Sequence, residues 1–154
     1  CNMSTIVTPY LTKLDSIEKE LPDIAKQAVI DNKENIMNIL KFSQLELGIK
    51  SDGSDAGVYS DLTSQWAIGQ DTVKSKNAGD PYNFQWSGGT FAFMDIKTSG
   101  KGEFDIFSTG GKQKLLEGIY GEIFDLTEEH NQYVNMEIIL PTLQKYILDN
   151  LMII

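Results

Sequence analysis

Few side chains in this chain of 154 residues carry the chemistry of a catalyst, and their spacing argues against one. There is one His, His130, and one Cys, Cys1. A serine nucleophile needs a histidine base. His130 falls in the first turn of a helix predicted to start after Thr127, beside Glu129, where a solvated ring is the expectation. No Gly-x-Ser-x-Gly surrounds any serine. One Cys with one His does not make a Cys/His zinc site, and a lone Cys closes no internal disulfide. Ser108-Thr109-Gly110-Gly111-Lys112 has part of a phosphate loop. The earlier glycine of that motif would fall at Ile106 or Phe107, and Gln113 follows the lysine, so the stretch reads as a glycine turn leading into a helix. Asp52, Asp55 and Asp61 surround Gly53 and Gly57 without the alternation of a calcium loop and read as an acidic turn. With 22 acidic residues no carboxylate pair stands out for glycoside hydrolysis. The expectation is a chain with no catalytic residues, no metal and no cofactor.

Binding is the remaining chemistry. Residues 69–81 are polar and include Asn77, Gly79, Asp80 and Pro81, which predicts a long loop with Lys74 and Lys76 as its basic spot. Tyr82, Phe84, Trp86, Phe91 and Phe93 then crowd together. Such density makes a sheet core, a subunit interface, or a rigid platform for a glycan or peptide. Tyr82, Phe84 and Trp86 alternate with Asn83 and Gln85, as in a half-buried strand, so core or interface is preferred. Trp66, Lys74, Lys76 and Tyr82 are the candidate interaction residues.

Helices must hold this middle region in place. Leu11, Leu14, Ile17 and Leu21 recur at spacings of three and four on one helix face, and Ile24, Ala28, Val29, Ile36, Ile39 and Leu40 continue the stripe towards Phe42. Core packing is its preferred reading over a face for a partner. Pro22 predicts a kink or restart, giving one interrupted helix or two consecutive ones. Helical periodicity is lost from Gly48 to Gly111, and Asp52-Gly53 signals a turn. Phe93 to Ser108 alternates on both sides of Ser99-Gly100-Lys101-Gly102, a β-hairpin pattern in which Phe104 and Ile106 share a face with Met94 and Ile96. Lys112 to Tyr120 is a short helix closed by Gly121. Thr127 caps the next, with Glu128 and Glu129 in its first turn, and Pro141 predicts a break or kink within it. The apolar end Leu148, Leu151, Met152, Ile153 and Ile154 must dock on its own core or on a neighbour. The order helix, strands, helix predicts an α+β fold, with N-terminal and C-terminal helices packed on a small antiparallel sheet containing the 93–108 hairpin. Residues 1–10 read as an N-terminal extension and 11–154 as a single domain. Cys1 is either the lipid-bearing residue of a processed lipoprotein or, with Asn2, stands ahead of an ordinary start at Met3-Ser4, the preferred reading.

Composition bounds the partners. Lys plus Arg is 13 and Asp plus Glu is 22, for a net charge of −9, which repels phosphate backbones and argues against general nucleic-acid binding. No apolar run reaches the roughly 18 residues of a membrane span. Hydrophobic residues are 41% of the chain, enough for a globular core.

The order of short motifs resembles one family. Leu47-Gly48-Ile49-Lys50-Ser51-Asp52-Gly53 follows the first helices. Tyr59-Ser60-Asp61-Leu62-Thr63-Ser64-Gln65 comes next, then a lysine-bearing stretch with Ala78-Gly79. Phe84-Gln85-Trp86-Ser87-Gly88-Gly89-Thr90-Phe91 leads into the hairpin, and Tyr120-Gly121-Glu122-Ile123-Phe124-Asp125-Leu126-Thr127-Glu128-Glu129 precedes the last helix. This is similar to the tail-completion or virion-morphogenesis proteins of tailed bacteriophages, the small neck and head–tail joining family. The chain departs from the family pattern at Asp61, where a proline is usual. It departs again at Ser87–Phe91, which replaces a Thr-Gly-x-Leu-like step, and in lacking an Arg-Pro-Phe stretch before the last helix. Head closure, tail terminator and tail completion all remain open as roles. The resemblance implies a non-enzymatic ring subunit that docks on neighbouring neck or tail proteins. It implies assembly in the cytoplasm of a bacterial host and residence in the virion, with no sequence-specific nucleic acid and no membrane. A ring around a DNA passage must not bind phosphates tightly, and an acidic chain meets that condition. The 69–81 loop would then reach a neighbouring subunit and order on assembly. The alternative from another class is a surface-exposed module, a lipoprotein in one version, that uses the 82–93 aromatics for a glycan or peptide.

Overall fold

A computed structural model describes residues 4–72, 74–85, 87–100 and 102–152. Expectations placed on Cys1 and Asn2, on Trp86, on Lys101 of the hairpin turn and on Ile153-Ile154 fall outside the described residues. The chain is α+β, with helices at both ends and a two-stranded antiparallel sheet between them. It divides into two compact units.

The first unit joins residues 1–32, 98–104 and 133–154. Helix α1 spans Ser4–Asp31 and runs through both Pro9 and Pro22. A proline inside a helix removes one backbone N–H and crowds the preceding turn. Here the helix continues because its seam is docked: Ile17, Ala28 and Val29 are buried, and α1 packs along the C-terminal helix. That helix begins as α6 (Glu128–Val134), widens into a π-turn at Asn135–Ile139 and resumes as α7 (Leu140–Leu151). The break or kink expected at Pro141 takes the form of this interruption of the regular helix. The proline sits in the first turn of α7, where it needs no N–H partner, and the wider turn before it absorbs the misfit. Val134 and Ile139 bury on this helix, and the Tyr146 hydroxyl donates to the Glu20 carboxylate of α1. The hairpin tip approaches α1 so closely that a Cβ on Gly102, at φ +78°, would lie 2.9 Å from the Ala25 Cβ. Only glycine meets both conditions.

The second unit holds residues 33–97 and 105–132. Helix α2 (Lys33–Asn38) passes into a π-turn at Ile39–Gln44, then a short tight turn at Leu45–Leu47 that ends on left-handed Gly48. Ile36, Leu40, Gln44 and Leu45 are fully buried along this stretch. Two short helices interrupt the middle region that lacked helical periodicity. These are α3 (Asp61–Ala67), capped by the Ser60 side chain accepting from Thr63 N–H, and α4 (Gly89–Ala92). Both are too short to set up a stripe, which is why periodicity missed them. Among the described residues of 69–81 there is no helix or strand, apart from the isolated bridge of Pro81 to Val58. Strands β1 (Met94–Thr98) and β2 (Phe104–Ser108) make the hairpin, with Met94 and Ile106 buried. Helix α5 (Gln113–Tyr120) ends at Gly121. Tyr59, Phe84, Phe91, Ile123, Phe124 and Leu126 complete the core.

Candidate functional site

The candidate interaction residues do not form one surface. Trp66 lies on α3, 68% exposed, one turn after the equally outward Leu62. Lys74 is also outward and ion-paired with Glu46. Lys76 and Tyr82 turn inward. Lys76 is only 4% exposed, so the basic spot read from the sequence is half buried core. The physical reason lies in what surrounds its ammonium. It donates to the Gln85 carbonyl at 2.9 Å and to the Asn83 side-chain oxygen, and it stands 5.2 Å from the centre of the Tyr59 ring. Neutral oxygens and an aromatic face take the place of a carboxylate, and burial pulls the Lys76 pKa below the usual lysine value.

Lys76 holds a bent segment in shape. Among the described residues 82–85 no strand forms where alternation predicts one: Phe84 has φ +50°, a left-handed conformation rare for a bulky residue. The Asn83 side-chain oxygen collects the bend by accepting from Tyr59 hydroxyl at 3.1 Å, from Gln85 N–H at 3.2 Å and from Lys76. Tyr59 hydroxyl in turn accepts from Asn83 N–H at 3.2 Å. Period-two alternation cannot reveal this, because the partners come from Tyr59, 24 positions from Asn83, and from Lys76 in the stretch before the bend.

The bend carries aromatics into a cluster. Tyr82 meets Tyr59 edge-on with centroids 4.7 Å apart and Tyr120 at 5.2 Å, and Phe84 meets Tyr120 at 5.0 Å. Burial raises the pKa of both Tyr59 and Tyr120. Gly57, at φ +108°, leaves room for Tyr82: a Cβ there would be 3.0 Å from the Tyr82 ring. Beside the cluster is a cavity of about 340 Å³, walled by Tyr82, Phe84, Tyr120, Leu115 and Leu116, with Gln85 and Lys112 among its polar lining residues. Tyr120 carries no signal of this role in the sequence; it closes a short helix there and becomes a wall only through the fold. Phe91 is buried and meets Phe42 edge-on at 6.1 Å, while Phe93 is exposed.

His130 is not a solvated ring. It is half-buried, and its Nδ1 lies 3.3 Å from the Gln44 Oε1. Gln44, fully buried, also accepts from Thr127 N–H at 3.0 Å and donates from Nε2 to the Asp125 carbonyl at 2.7 Å. An amide oxygen only accepts, so in this contact Nδ1 is the donor. Thr127 caps α6 as expected, its hydroxyl accepting from His130 N–H at 3.3 Å. Next to this network a cavity of about 430 Å³ is lined by Asp52, Glu122 and Asp125 among others. Burial raises the Asp125 pKa first, and the carboxylates of Asp105, Glu122 and Glu117 add to it. Among the described residues no group of His, Cys, Asp and Glu is placed to hold a metal ion, and no helix is long and apolar enough to cross a membrane.

The stripe on α1 is only partly core. Ile17 is buried, but Leu14 is 44% exposed, Leu11 56% and Val7 50%. On the C-terminal helix Tyr133, Met136, Leu148 and Met152 are exposed as well. Two helices share a single seam, so an apolar face wider than that seam stays in water. Comparison of the chain with protein-family models, curated proteins and solved structures returns no match.

Proposed function

We propose that the chain is a structural protein of a tailed phage or prophage, of the neck or tail-completion type. It works by self-association and by docking on neighbouring virion proteins, without turning over a substrate. The observation that carries the reading is the uncovered stripe Val7, Leu11 and Leu14 on α1. Water-facing apolar side chains at helical spacing are what a second helix covers, and burying the exposed part of each contributes about 1–2 kcal/mol. The outward Leu62 and Trp66 on α3 add an anchor of the type found at the centre of interfaces. The resemblance of the motif order to the neck family and the net charge of −9 agree with a ring through which DNA slides.

The test is sedimentation velocity over a wide concentration range, alone and with candidate neck and tail proteins, followed by electron microscopy of the larger species. Closed rings, weakened by Leu11→Glu with Leu14→Glu, are the expected result. A strict monomer under every condition, or assembly indifferent to those substitutions, refutes the reading.

A further inference from the structure

We propose that the cavity beside Tyr82, Phe84 and Tyr120 is a binding site for a small aromatic carboxylate. This goes beyond assembly and uses a different part of the chain from the α1 stripe.

Three features of the cavity converge. Its volume, about 340 Å³, is that of a pocket for a ring with a short arm. Its walls are aromatic and leucine side chains, which favour a flat apolar group. Its polar lining residues include donors. Gln85 is 6% exposed, and its Nε2 has no hydrogen-bond partner among the described residues. An amide N–H left unpaired inside a protein costs about 1–3 kcal/mol, so native structures rarely retain one without use. Lys112, at the same cavity, brings an ammonium. A group that accepts from an amide N–H and an ammonium, and carries the opposite charge, is a carboxylate.

The backbone supports this. Phe84, adjacent to Gln85 and also in the wall, is held at φ +50° by the Lys76 and Asn83 bonds. Two consecutive residues thus each sit in an unfavourable state, and both line the same cavity. Strain of this kind is retained where it presents side chains to a ligand. A chain that needed only a packed core could relax both.

Phenylacetate is a suitable probe, with phenylacetamide as its uncharged match. In calorimetric titration of the full chain, phenylacetate should bind with a dissociation constant of about 1 mM or tighter. Phenylacetamide should bind about tenfold more weakly. Lys112→Ala, at an exposed position, should erase that difference without unfolding the chain, as followed by circular dichroism. Gln85→Leu should weaken both probes, and Leu116→Trp, which fills the cavity, should abolish both. In methyl NMR spectra the Leu115 and Leu116 resonances should move on titration. No saturable binding up to about 10 mM overturns the proposal. Equal affinity for the two probes, or binding that survives Leu116→Trp, overturns it as well. Failure here would leave ring assembly untouched, since the α1 stripe is tested separately.

Discussion

Replacing Gln44 should expose how much the second unit depends on one buried amide. Its side chain bridges the end of the π-turn to the start of α6, with bonds to the Asp125 carbonyl, Thr127 N–H and His130 Nδ1. In Gln44→Leu the three losses differ. The Asp125 carbonyl keeps the Ser51 hydroxyl at 2.9 Å, so its loss is small. His130 is half-buried and can turn to water. Thr127 N–H is buried and left without an acceptor, at about 1–3 kcal/mol. Leucine returns some apolar contact, so the sum is about 1–2 kcal/mol. With a urea slope of about 2 kcal/mol per molar, the unfolding midpoint should drop by about 0.5–1 M. Gln44→Glu sharpens the argument. Its carboxylate would be fully buried and would face the Asp125 carbonyl oxygen, so its folded pKa rises above the unfolded value. Between those two values the folded state binds the extra proton, and stability falls as pH rises. Gln44→Glu should therefore be less stable than Gln44→Leu at pH near 8 and should recover towards pH 4, where a protonated acid can donate to that carbonyl. A leucine variant within about 0.5 kcal/mol of the parent, or a glutamate variant with a flat pH profile, would refute this account of the network.

Three further outcomes follow from the same geometry. Asp125→Asn removes a carboxyl whose pKa is raised by burial and by Asp105, Glu122 and Glu117; ionising it penalises the folded state, so the variant should melt higher at pH 7 and match the parent near pH 3. Lys76→Met removes a lysine whose pKa burial has lowered. Below 10.5 the folded parent sheds that proton before the unfolded chain does, so the parent should gain on the variant as pH climbs towards 10.5 in paired denaturation curves. Gly57→Ala places a Cβ 3.0 Å from the Tyr82 ring at φ +108° and should cost about 1–2 kcal/mol by urea unfolding, with altered tyrosine fluorescence from the displaced cluster.

The parts of the fold that were legible are those made by neighbours in sequence. Alternation on both sides of a glycine turn is enough for the β1–β2 hairpin, Thr127 ahead of two glutamates for the start of α6, and Gly121 for the end of α5. The α1 stripe was equally plain as a pattern. Whether its leucines are covered depended on how many helices lie against it, which periodicity does not encode. Proline rules were a partial guide: Pro22 lies in unbroken helix because a docked seam outweighs one missing hydrogen bond, whereas a π-turn interrupts the regular helix just before Pro141.

The candidate site was hardly legible, because its chemistry is long-range. Lys76 looked like a surface cation until the fold surrounded it with the Gln85 carbonyl, the Asn83 amide and the Tyr59 ring. Gln44 and His130 stand 86 positions apart and share one bond. By itself the sequence determined the acidic balance, the α+β order and the local turns and caps, since each follows from composition or from residues a few positions apart. Only the tertiary structure decided which cation is buried, which amide is left unpaired and which apolar face remains in water. Those outcomes depend on burial, and burial belongs to the whole packed chain.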